Sequence, residues 1–309
     1  MNSSSLKPEN GSVGRSGVAA VSKYLLQLEL GFGLVLFGLT MACHWSFCAR
    51  NTNTSANFSS HATVHLEEGE RVCIVGDVHG CLEELKDLLC EVYAQYSPDI
   101  KVVLVGDLVN KGPFSADVVK FIRSKPDQFF SVKGNHDHAA AKRFGKSIET
   151  EQNGTNTYSW IHELSDEDKQ WLETLPYTIS IPALNCIVVH AGLIPNKSLQ
   201  EQKPTDLMLM RNVSVDNETG EFKSEQSADR GFAWAEVWSN QKKKKVKKKQ
   251  DIPHVYFGHD ARRGLQHTES ATGLDTGCCY GRKLTCCVLP DRTFLQVKAK
   301  EVYEVRDED

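Results

Sequence analysis

The sequence lacks the cysteine spacing of a zinc-binding domain. Ten cysteines occur among its 309 residues, yet none of them form a Cys-x-x-Cys pair. Cys73 and Cys186 lie inside apolar, strand-like runs, where a buried thiol behaves as a small hydrophobic side chain. The pairs Cys278-Cys279 and Cys286-Cys287 flank a predicted hairpin turn, so a cross-strand disulfide in an oxidising compartment is an alternative to free thiols.

A net positive charge, which would indicate a nucleic-acid-binding protein, is also missing. The formal net charge is −4, although the run from Lys242 to Lys249 contains seven lysines interrupted only by Val246. Because the positive charge is local, we expect no sequence-specific nucleic-acid partner. Self-repulsion predicts a disordered surface loop there. This loop is open to three interpretations: a nuclear localisation signal, a contact site for polyanions, or a solvated insertion without function.

Charged residues are absent from residues 30–49, a stretch about as long as the roughly 20 residues that cross a bilayer. This pattern predicts a signal anchor, with a cleaved signal peptide as the alternative. Lys7, Arg15 and Lys23 precede the segment. The positive-inside rule then places the following domain in the lumen of the vacuole, the lysosome or the secretory pathway, with a cytoplasmic location as the alternative.

These features divide the chain into a tail, an anchor, a stalk, a catalytic region and a second tail. Asn53 and Asn57 begin glycosylation sequons in the stalk, which fits a lumenal position. The predicted boundaries are a cytosolic tail at residues 1–29, a transmembrane anchor at 30–49, a polar stalk at 50–69, a catalytic domain at 70–300 and a C-terminal tail at 301–309.

From residue 70 onward, short apolar runs alternate with segments of helical spacing. Strands are predicted over residues 72–75, 102–105 and 129–132, and helices over 82–92 and 116–122. This order predicts an α/β fold with sites at the carboxyl ends of the strands. A second, more antiparallel sheet is expected from five later runs, at residues 179–181, 187–189, 255–257, 286–289 and 294–297.

Five polar motifs each close one of these apolar runs. Their potential metal ligands are Asp77, His79, Asp107, Asn135, His190 and His259. Carboxylate, amide and imidazole donors without a thiolate suit two divalent cations such as Mn, Zn or Fe. Asp77 and His79 are two residues apart and can reach one ion from the same side of a strand end, while Asp107 is placed to bridge both ions. Two adjacent divalent cations are typical of hydrolases.

Three of the motifs resemble the metallophosphoesterase signature of the phosphoprotein-phosphatase superfamily. They are G-D-V-H-G from Gly76, G-D-L-V-N-K-G from Gly106 and G-N-H-D from Gly134. The resemblance covers roughly residues 70–300. It implies a four-layer α/β/β/α sandwich with a dinuclear metal site at the sheet edges.

The resemblance also implies a role for each site residue. It assigns Asp77 and His79 to one ion, Asn135, His190 and His259 to the other, and Asp107 to both. A water shared by the two cations is then the expected nucleophile. His136 is the expected general acid, and Asp137 is expected to orient it. Lys111 and Arg211 are candidates for a cationic clamp on the phosphoryl oxygens, although Arg211 is equally compatible with a surface position without a role.

Three residues separate this chain from Ser/Thr protein phosphatases, because Asn110, Lys111 and Asp137 stand where those enzymes carry Asp, Arg and Glu. The G-N-H-D motif is similar instead to the ApaH-like branch. Members of that branch hydrolyse phosphoanhydride bonds in dinucleoside polyphosphates, capped RNA ends or inorganic polyphosphate, and a single N-terminal anchor resembles its endopolyphosphatase-like members. The predicted function is therefore metal-dependent phosphoanhydride hydrolysis. The alternatives are a protein phosphatase-like phosphomonoesterase and an inactive phosphate-binding scaffold.

Overall fold

Two β-sheets lie face to face in the part of the chain that the computed structural model describes, residues 61–145, 158–245 and 253–305. The strands are β1 (His61–Thr63), β2 (Val72–Val75), β3 (Lys101–Leu104), β4 (Phe129–Ser131), β5 (Thr178–Ile181), β6 (Cys186–Val189), β7 (Asn212–Val215), β8 (Phe222–Glu225), β9 (Phe232–Ala233), β10 (His254–Phe257), β11 (Gln266–His267), β12 (Ala271–Gly273), β13 (Lys283–Leu289) and β14 (Thr293–Lys298). The α-helices are α1 (Leu82–Gln95), α2 (Ser115–Arg123), α3 (Asn135–Ala141), α4 (Asp166–Thr174), α5 (Pro204–Leu209) and α6 (Trp234–Lys245). Short 3₁₀ turns lie at Ser159–Glu163, Pro182–Leu184 and Leu199–Glu201.

The first sheet has five strands in the order β14-β13-β2-β3-β4. Its strands β2, β3 and β4 are parallel, as the alternation of strands and helices predicts, whereas β13 and β14 are antiparallel additions. The second sheet has six strands in the order β1-β5-β6-β10-β12-β11. Strands β7, β8 and β9 form a separate antiparallel sheet.

Both faces of the central strands are buried, which explains why their sequences are unbroken apolar runs. In β2, Val72 and Ile74 pack into the core between the two sheets, whereas Cys73 and Val75 pack into the core beneath the helices. Successive side chains of a strand point to opposite faces, so one strand supplies two cores. Cys73 is fully buried there, as expected for a thiol that packs as a small hydrophobic group.

Helices cover the outer face of each sheet. Leu85, Leu88 and Val119 of α1 and α2 belong to the core on the five-stranded sheet. Trp234 and Trp238 of α6 belong to the core on the six-stranded sheet. The order of layers is therefore helix, sheet, sheet, helix, which confirms the predicted α/β/β/α fold class.

The last two predicted strands belong to the first sheet, and their predicted assignment to the second sheet was wrong. Strand β13 pairs antiparallel with β2, with Cys286 opposite Val75 and Val288 opposite Cys73. An apolar run shows that a strand is buried, but it does not identify the distant strand to which its backbone bonds. The second sheet is also less antiparallel than expected, because β6, β10 and β12 are parallel.

The folded region extends past both predicted boundaries. Strand β1 pairs with β5 and Val64 is only 3% exposed, so residues 61–64 belong to the six-stranded sheet and not to a polar stalk. At the other end, the Tyr303 hydroxyl donates a hydrogen bond to Glu84 at 2.8 Å, so the predicted tail at 301–309 packs on α1 as far as this residue. Backbone hydrogen bonds and the contact of Tyr303 with Glu84 hold these segments, and neither leaves a hydrophobic pattern in the sequence.

Several predicted features lie outside the described residues. They are the cytosolic tail, the anchor at residues 30–49, the sequons at Asn53 and Asn57, most of the stalk and the second half of the lysine run. Within the described ranges, none of the helices has the length and hydropathy needed to cross a bilayer. The first lysines of the run continue α6 to Lys245 and do not begin a disordered loop, because lysine is a good helix former.

The cysteines on either side of the predicted hairpin are free thiols. Cys286 and Cys287 lie side by side in β13 and point into different cores. Cys278 and Cys279 precede the turn and lie in no strand that pairs with β13. Of the two alternatives that the sequence leaves open, a cross-strand disulfide and free thiols, the structure has the free thiols.

Two leucine-to-alanine substitutions, one buried and one exposed, test the packing of α1 on the five-stranded sheet. We expect Leu88→Ala, at a fully buried position of α1, to lower the free energy of unfolding by about 2–5 kcal/mol, because it removes apolar contacts and leaves a cavity. Leu265→Ala, at a position that is 42% exposed, should cost less than about 1 kcal/mol. Urea unfolding of the two variants measures the difference, and equal losses would show that the helix does not pack on this sheet.

Candidate active site

The loops that follow the strands bring the predicted ligands together at one edge of the two sheets. Asp77 and His79 follow β2, Asp107 follows β3, Asn135 begins α3 after β4, His190 follows β6, and His259 follows β10. The Asp107 carboxylate lies at the centre, with Oδ2 3.5 Å from His79 Nε2 and Oδ1 3.5 Å from His190 Nε2. Asn135 Oδ1 lies 3.0 Å from the same His190 nitrogen. The structure therefore brings all six residues together, as the positions of the five motifs at strand ends predict.

Three of these residues adopt a backbone conformation that side chains normally disfavour. His79, Asp107 and His259 have φ values of 48°, 49° and 68°. The left-handed region costs a non-glycine residue about 1–2 kcal/mol. Such strain is found mainly where the surrounding structure requires one side-chain position. Here the three residues follow β2, β3 and β10, and their side chains converge on one site.

Backbone carbonyls fix the orientation of two imidazole rings. His79 Nδ1 lies 3.2 Å from the carbonyl oxygen of Val109, and His190 Nδ1 lies 2.9 Å from that of Val105. In each ring Nδ1 is therefore the donor, and Nε2 lies on the side of the Asp107 carboxylate. This is the arrangement found around histidines that bind metals in proteins.

The site combines crowded carboxylates with neutral imidazoles, a combination that suits divalent cations. Burial, together with Asp275 and Asp107, raises the pKa of Asp77 well above its usual value. Burial also lowers the pKa of His79 and of His259 well below the usual value, which keeps both imidazoles neutral and able to bind a cation. Crowded buried carboxylates beside neutral imidazoles are an oxygen and nitrogen donor set that fits Mn, Zn or Fe.

Asp107 behaves differently from the other carboxylates. Burial alone would raise its pKa, but His190, His136 and His79 outweigh burial and lower it below its usual value. Asp107 also belongs to both of the ligand groups in this edge, one with His79 and His136 and one with His190 and His259. It is thus the residue that connects the two halves of the site.

A hydrogen-bond relay holds the ring of His136. The Trp160 indole N–H donates to Asn110 Oδ1 at 3.0 Å, and an indole N–H can only donate. The amide orientation of Asn110 is thereby fixed, so its Nδ2 donates to His136 Nδ1 at 3.3 Å. Nε2 of a neutral His136 then carries the proton.

Asp137 makes its hydrogen bonds elsewhere. Its carboxylate accepts from the backbone N–H groups of Leu108 and Gly134, both at 2.9 Å, and burial and Asp107 raise its pKa to about 7. Asp137 therefore links the two loops that carry the second and third motifs, while the contact with the His136 ring is made by Asn110.

A cavity of about 520 Å³ opens in front of these residues and carries positive side chains on its wall. Lys111 Nζ lies 3.0 Å from His79 Nε2 and 5.1 Å from the centre of the Tyr280 ring. His79 Nε2 has one lone pair, so it either accepts the hydrogen bond from Lys111 or binds a cation. Arg211 also lines the cavity and donates a hydrogen bond to the carbonyl oxygen of Gln226 at 3.2 Å. Of the two positions that the sequence allows, beside the site or elsewhere on the surface, Arg211 therefore occupies the first.

Sequence reasoning missed Asp275, Arg262 and Tyr280 as site residues. Asp275 follows β12 in a Gly-Leu-Asp sequence, the same signal of an apolar run closed by a carboxylate that identified Asp77. Arg262 and Tyr280 lie in loops and reach the cavity only through the fold. No local pattern marks them.

Two glycines are required by the packing of the carboxylates. A Cβ atom at Gly258 would overlap Oδ1 of Asp77, and one at Gly134 would overlap Oδ1 of Asp107. The Gly-His and Gly-Asn-His motifs therefore have glycine because a buried carboxylate occupies the space beside their backbone.

Comparison with known proteins agrees with this geometry. A family model of calcineurin-like phosphoesterases matches residues 70–286. The symmetrical bis(5′-nucleosyl)-tetraphosphatase of Pectobacterium atrosepticum is 30% identical over 266 residues, which cover 72% of this chain and 92% of that enzyme. The asymmetrical bis(5′-nucleosyl)-tetraphosphatase of Oceanobacillus iheyensis is 25% identical over 251 residues, covering 75% of this chain and 94% of that enzyme.

A solved structure gives the same result. The crystal structure of a candidate diadenosine tetraphosphatase matches with a TM-score of 0.65 at 32% identity, covering 78% of this chain and 99% of that one. The chain therefore belongs to the calcineurin-like phosphoesterase family.

Proposed function

We propose that this protein hydrolyses phosphoanhydride bonds of dinucleoside polyphosphates with the help of two divalent cations. The observation that carries the proposal is the position of Asp107 between two groups of ligands. In this proposal Asp77, His79 and Asp107 hold one cation, and Asp107, Asn135, His190 and His259 hold the other. The names of the relatives from Pectobacterium atrosepticum and Oceanobacillus iheyensis support the substrate class.

Bound at these ligands, two divalent cations would lower the pKa of a water molecule and neutralise charge on the phosphoryl group. The protein then has to supply a proton to the leaving oxygen. His136 in its imidazolium form is the candidate, because the ring lines the cavity beside Asp107. The hydrogen bond from Asn110 Nδ2 to Nδ1 orients the ring but favours its neutral form. The leaving group of a phosphoanhydride is itself a phosphate, which needs less help from an acid than an alcohol does.

Lys111, Arg211 and Arg262 form the candidate clamp for the remaining phosphates. All three line the cavity, so a chain of several phosphates can contact more than one of them. Arginine forms two parallel hydrogen bonds with phosphate oxygens, whereas Lys111 acts as a point charge. The ring of Tyr280, which lines the cavity beside Lys111, is an apolar surface for a base or a sugar.

The alternatives predict other substrates. A protein phosphatase-like phosphomonoesterase is disfavoured by Asn110 and Asp137, and an inactive scaffold has no need of a free donor on His136. Inorganic polyphosphate remains a second candidate substrate, favoured by the lysine run that begins at Lys242. Attachment to a membrane through residues 30–49, with the catalytic domain in a lumen or in the cytoplasm, likewise stays a prediction from the sequence.

A substrate panel tests the proposed function. With Mn or Zn bound, we expect kcat/KM for diadenosine tetraphosphate to exceed that for a phosphopeptide by more than about tenfold, and a chelator to abolish the activity. Capped RNA and long polyphosphate complete the panel. A preference for the phosphopeptide would favour the phosphomonoesterase, and no turnover of any substrate by the folded, metal-loaded protein would favour the scaffold.

A glycine pair tests the requirement for space beside Asp77. Gly258→Ala should reduce kcat/KM by about a hundredfold or more, because the new Cβ displaces the carboxylate that binds a cation. Gly264→Ala is the matched control, since its φ of +68° costs stability but its Cβ meets no atom within 4 Å. Steady-state kinetics on the two folded variants decide the point, and full activity of Gly258→Ala would remove Asp77 from the ligand set.

Asn110→Asp tests the relay to His136. Burial lowers the pKa of His136, and an aspartate that accepts from Nδ1 stabilises the imidazolium and raises this pKa again. Activity that needs protonated His136 is lost as the pH rises through its pKa, so the alkaline limb of the kcat/KM profile should move up by about one pH unit. An unchanged limb in an active variant would show that another group donates the proton.

A further inference from the structure

A second group of potential ligands lies behind the catalytic edge. Cys81 directly precedes α1, and Glu84 is three residues later, so the helix places both side chains on one face. Cys278 approaches from the loop that follows β12. One ligand atom from each of the three side chains lies within 4.8 Å of the others. All three residues are buried, with exposures of 1%, 1% and 2%.

The Glu84 carboxylate is only half satisfied by the protein. Its Oε1 accepts two hydrogen bonds, from the backbone N–H of Lys300 at 2.9 Å and from the Tyr303 hydroxyl at 2.8 Å. Its Oε2 is buried without a hydrogen-bond partner. An unpartnered polar atom in the interior costs roughly 1–3 kcal/mol, and more for a charged group. The tightly held Oε1 keeps the carboxylate in place beside the two sulfurs.

We propose that Cys81, Glu84 and Cys278 bind one zinc ion that is separate from the catalytic cations. Two sulfur donors and one carboxylate select zinc over the harder ions Mg and Ca, which prefer oxygen alone. The ion gives Oε2 of Glu84 the partner that it lacks and compensates the negative charge of the donors. Three protein donors leave one position of a tetrahedral site for another ligand.

The position of this site defines its role. Cys81 is two residues from His79, and Cys278 is three residues from Asp275. A zinc ion between them joins the loop after β2 to the loop after β12. Through Glu84 it also joins the segment that contains Lys300 and Tyr303. The ion stabilises the rear of the catalytic edge and takes no part in hydrolysis.

Cobalt is a selective probe of this site, because the catalytic ligand set contains no sulfur. We expect the full chain, expressed with Co²⁺ in place of zinc, to show the near-ultraviolet absorption of a thiolate-to-cobalt charge transfer. Cys278→Ser and Glu84→Gln should each lose about one equivalent of bound metal and, with it, most of the band. Cys186→Ser is the matched control, since this buried thiol lies in the core between the sheets, and it should keep both.

Three results would overturn the proposed zinc site. A folded wild-type protein with cobalt at the catalytic ligands and no sulfur-to-cobalt band would overturn the proposal, as would a band that survives in the folded Cys278→Ser variant. X-ray absorption of zinc-loaded wild-type protein gives an answer that needs no variant, because zinc–sulfur distances are about 2.3 Å and zinc–nitrogen or zinc–oxygen distances are about 2.0–2.2 Å. Absence of the sulfur shell would also overturn it. None of these measurements depends on turnover of any substrate.

Discussion

The structure depends most on one buried carboxylate, that of Asp107. Burial opposes its ionisation, but His190, His136 and the Lys111 ammonium nearby hold the pKa of this carboxyl below its usual value. The same carboxylate accepts a hydrogen bond from the backbone N–H of His136 at 2.8 Å, which fixes the start of α3. Gly134 has no side chain because this carboxylate fills the space. One charged group thus determines the loop geometry, the required glycine and the position of the histidines.

The sequence predicts the central strands well because their two buried faces leave a strong signal. The apolar runs at residues 72–75, 102–105 and 129–132 correspond closely to β2, β3 and β4. The six predicted ligands come together because the carboxyl ends of strands meet at one edge. Both successes rest on local properties, namely hydrophobicity and the position of a polar residue after a strand.

What the sequence could not predict depends on distant contacts. The pairing of β13 with β2 joins Cys286 to Val75, and nothing in either run identifies the other. Arg262 and Tyr280 reach the cavity from loops whose course follows from the whole fold. The partner of the His136 ring was also unpredictable, because Trp160 lies far along the chain and sets the amide orientation of Asn110. These three cases share one cause, since each contact is made by residues that no periodic pattern relates.

The place of β13 in the first sheet has a consequence for the synthesis of the protein. Strand β2 carries the first catalytic motif near the start of the described chain, yet Val75 meets its partner Cys286 only about two hundred residues later. A ribosome that has translated the first three motifs has therefore released a parallel sheet with one edge still open. Open edges are prone to pair with other chains. Until the last strands emerge, the edge of β2 that β13 covers in the folded protein stays open to such pairing.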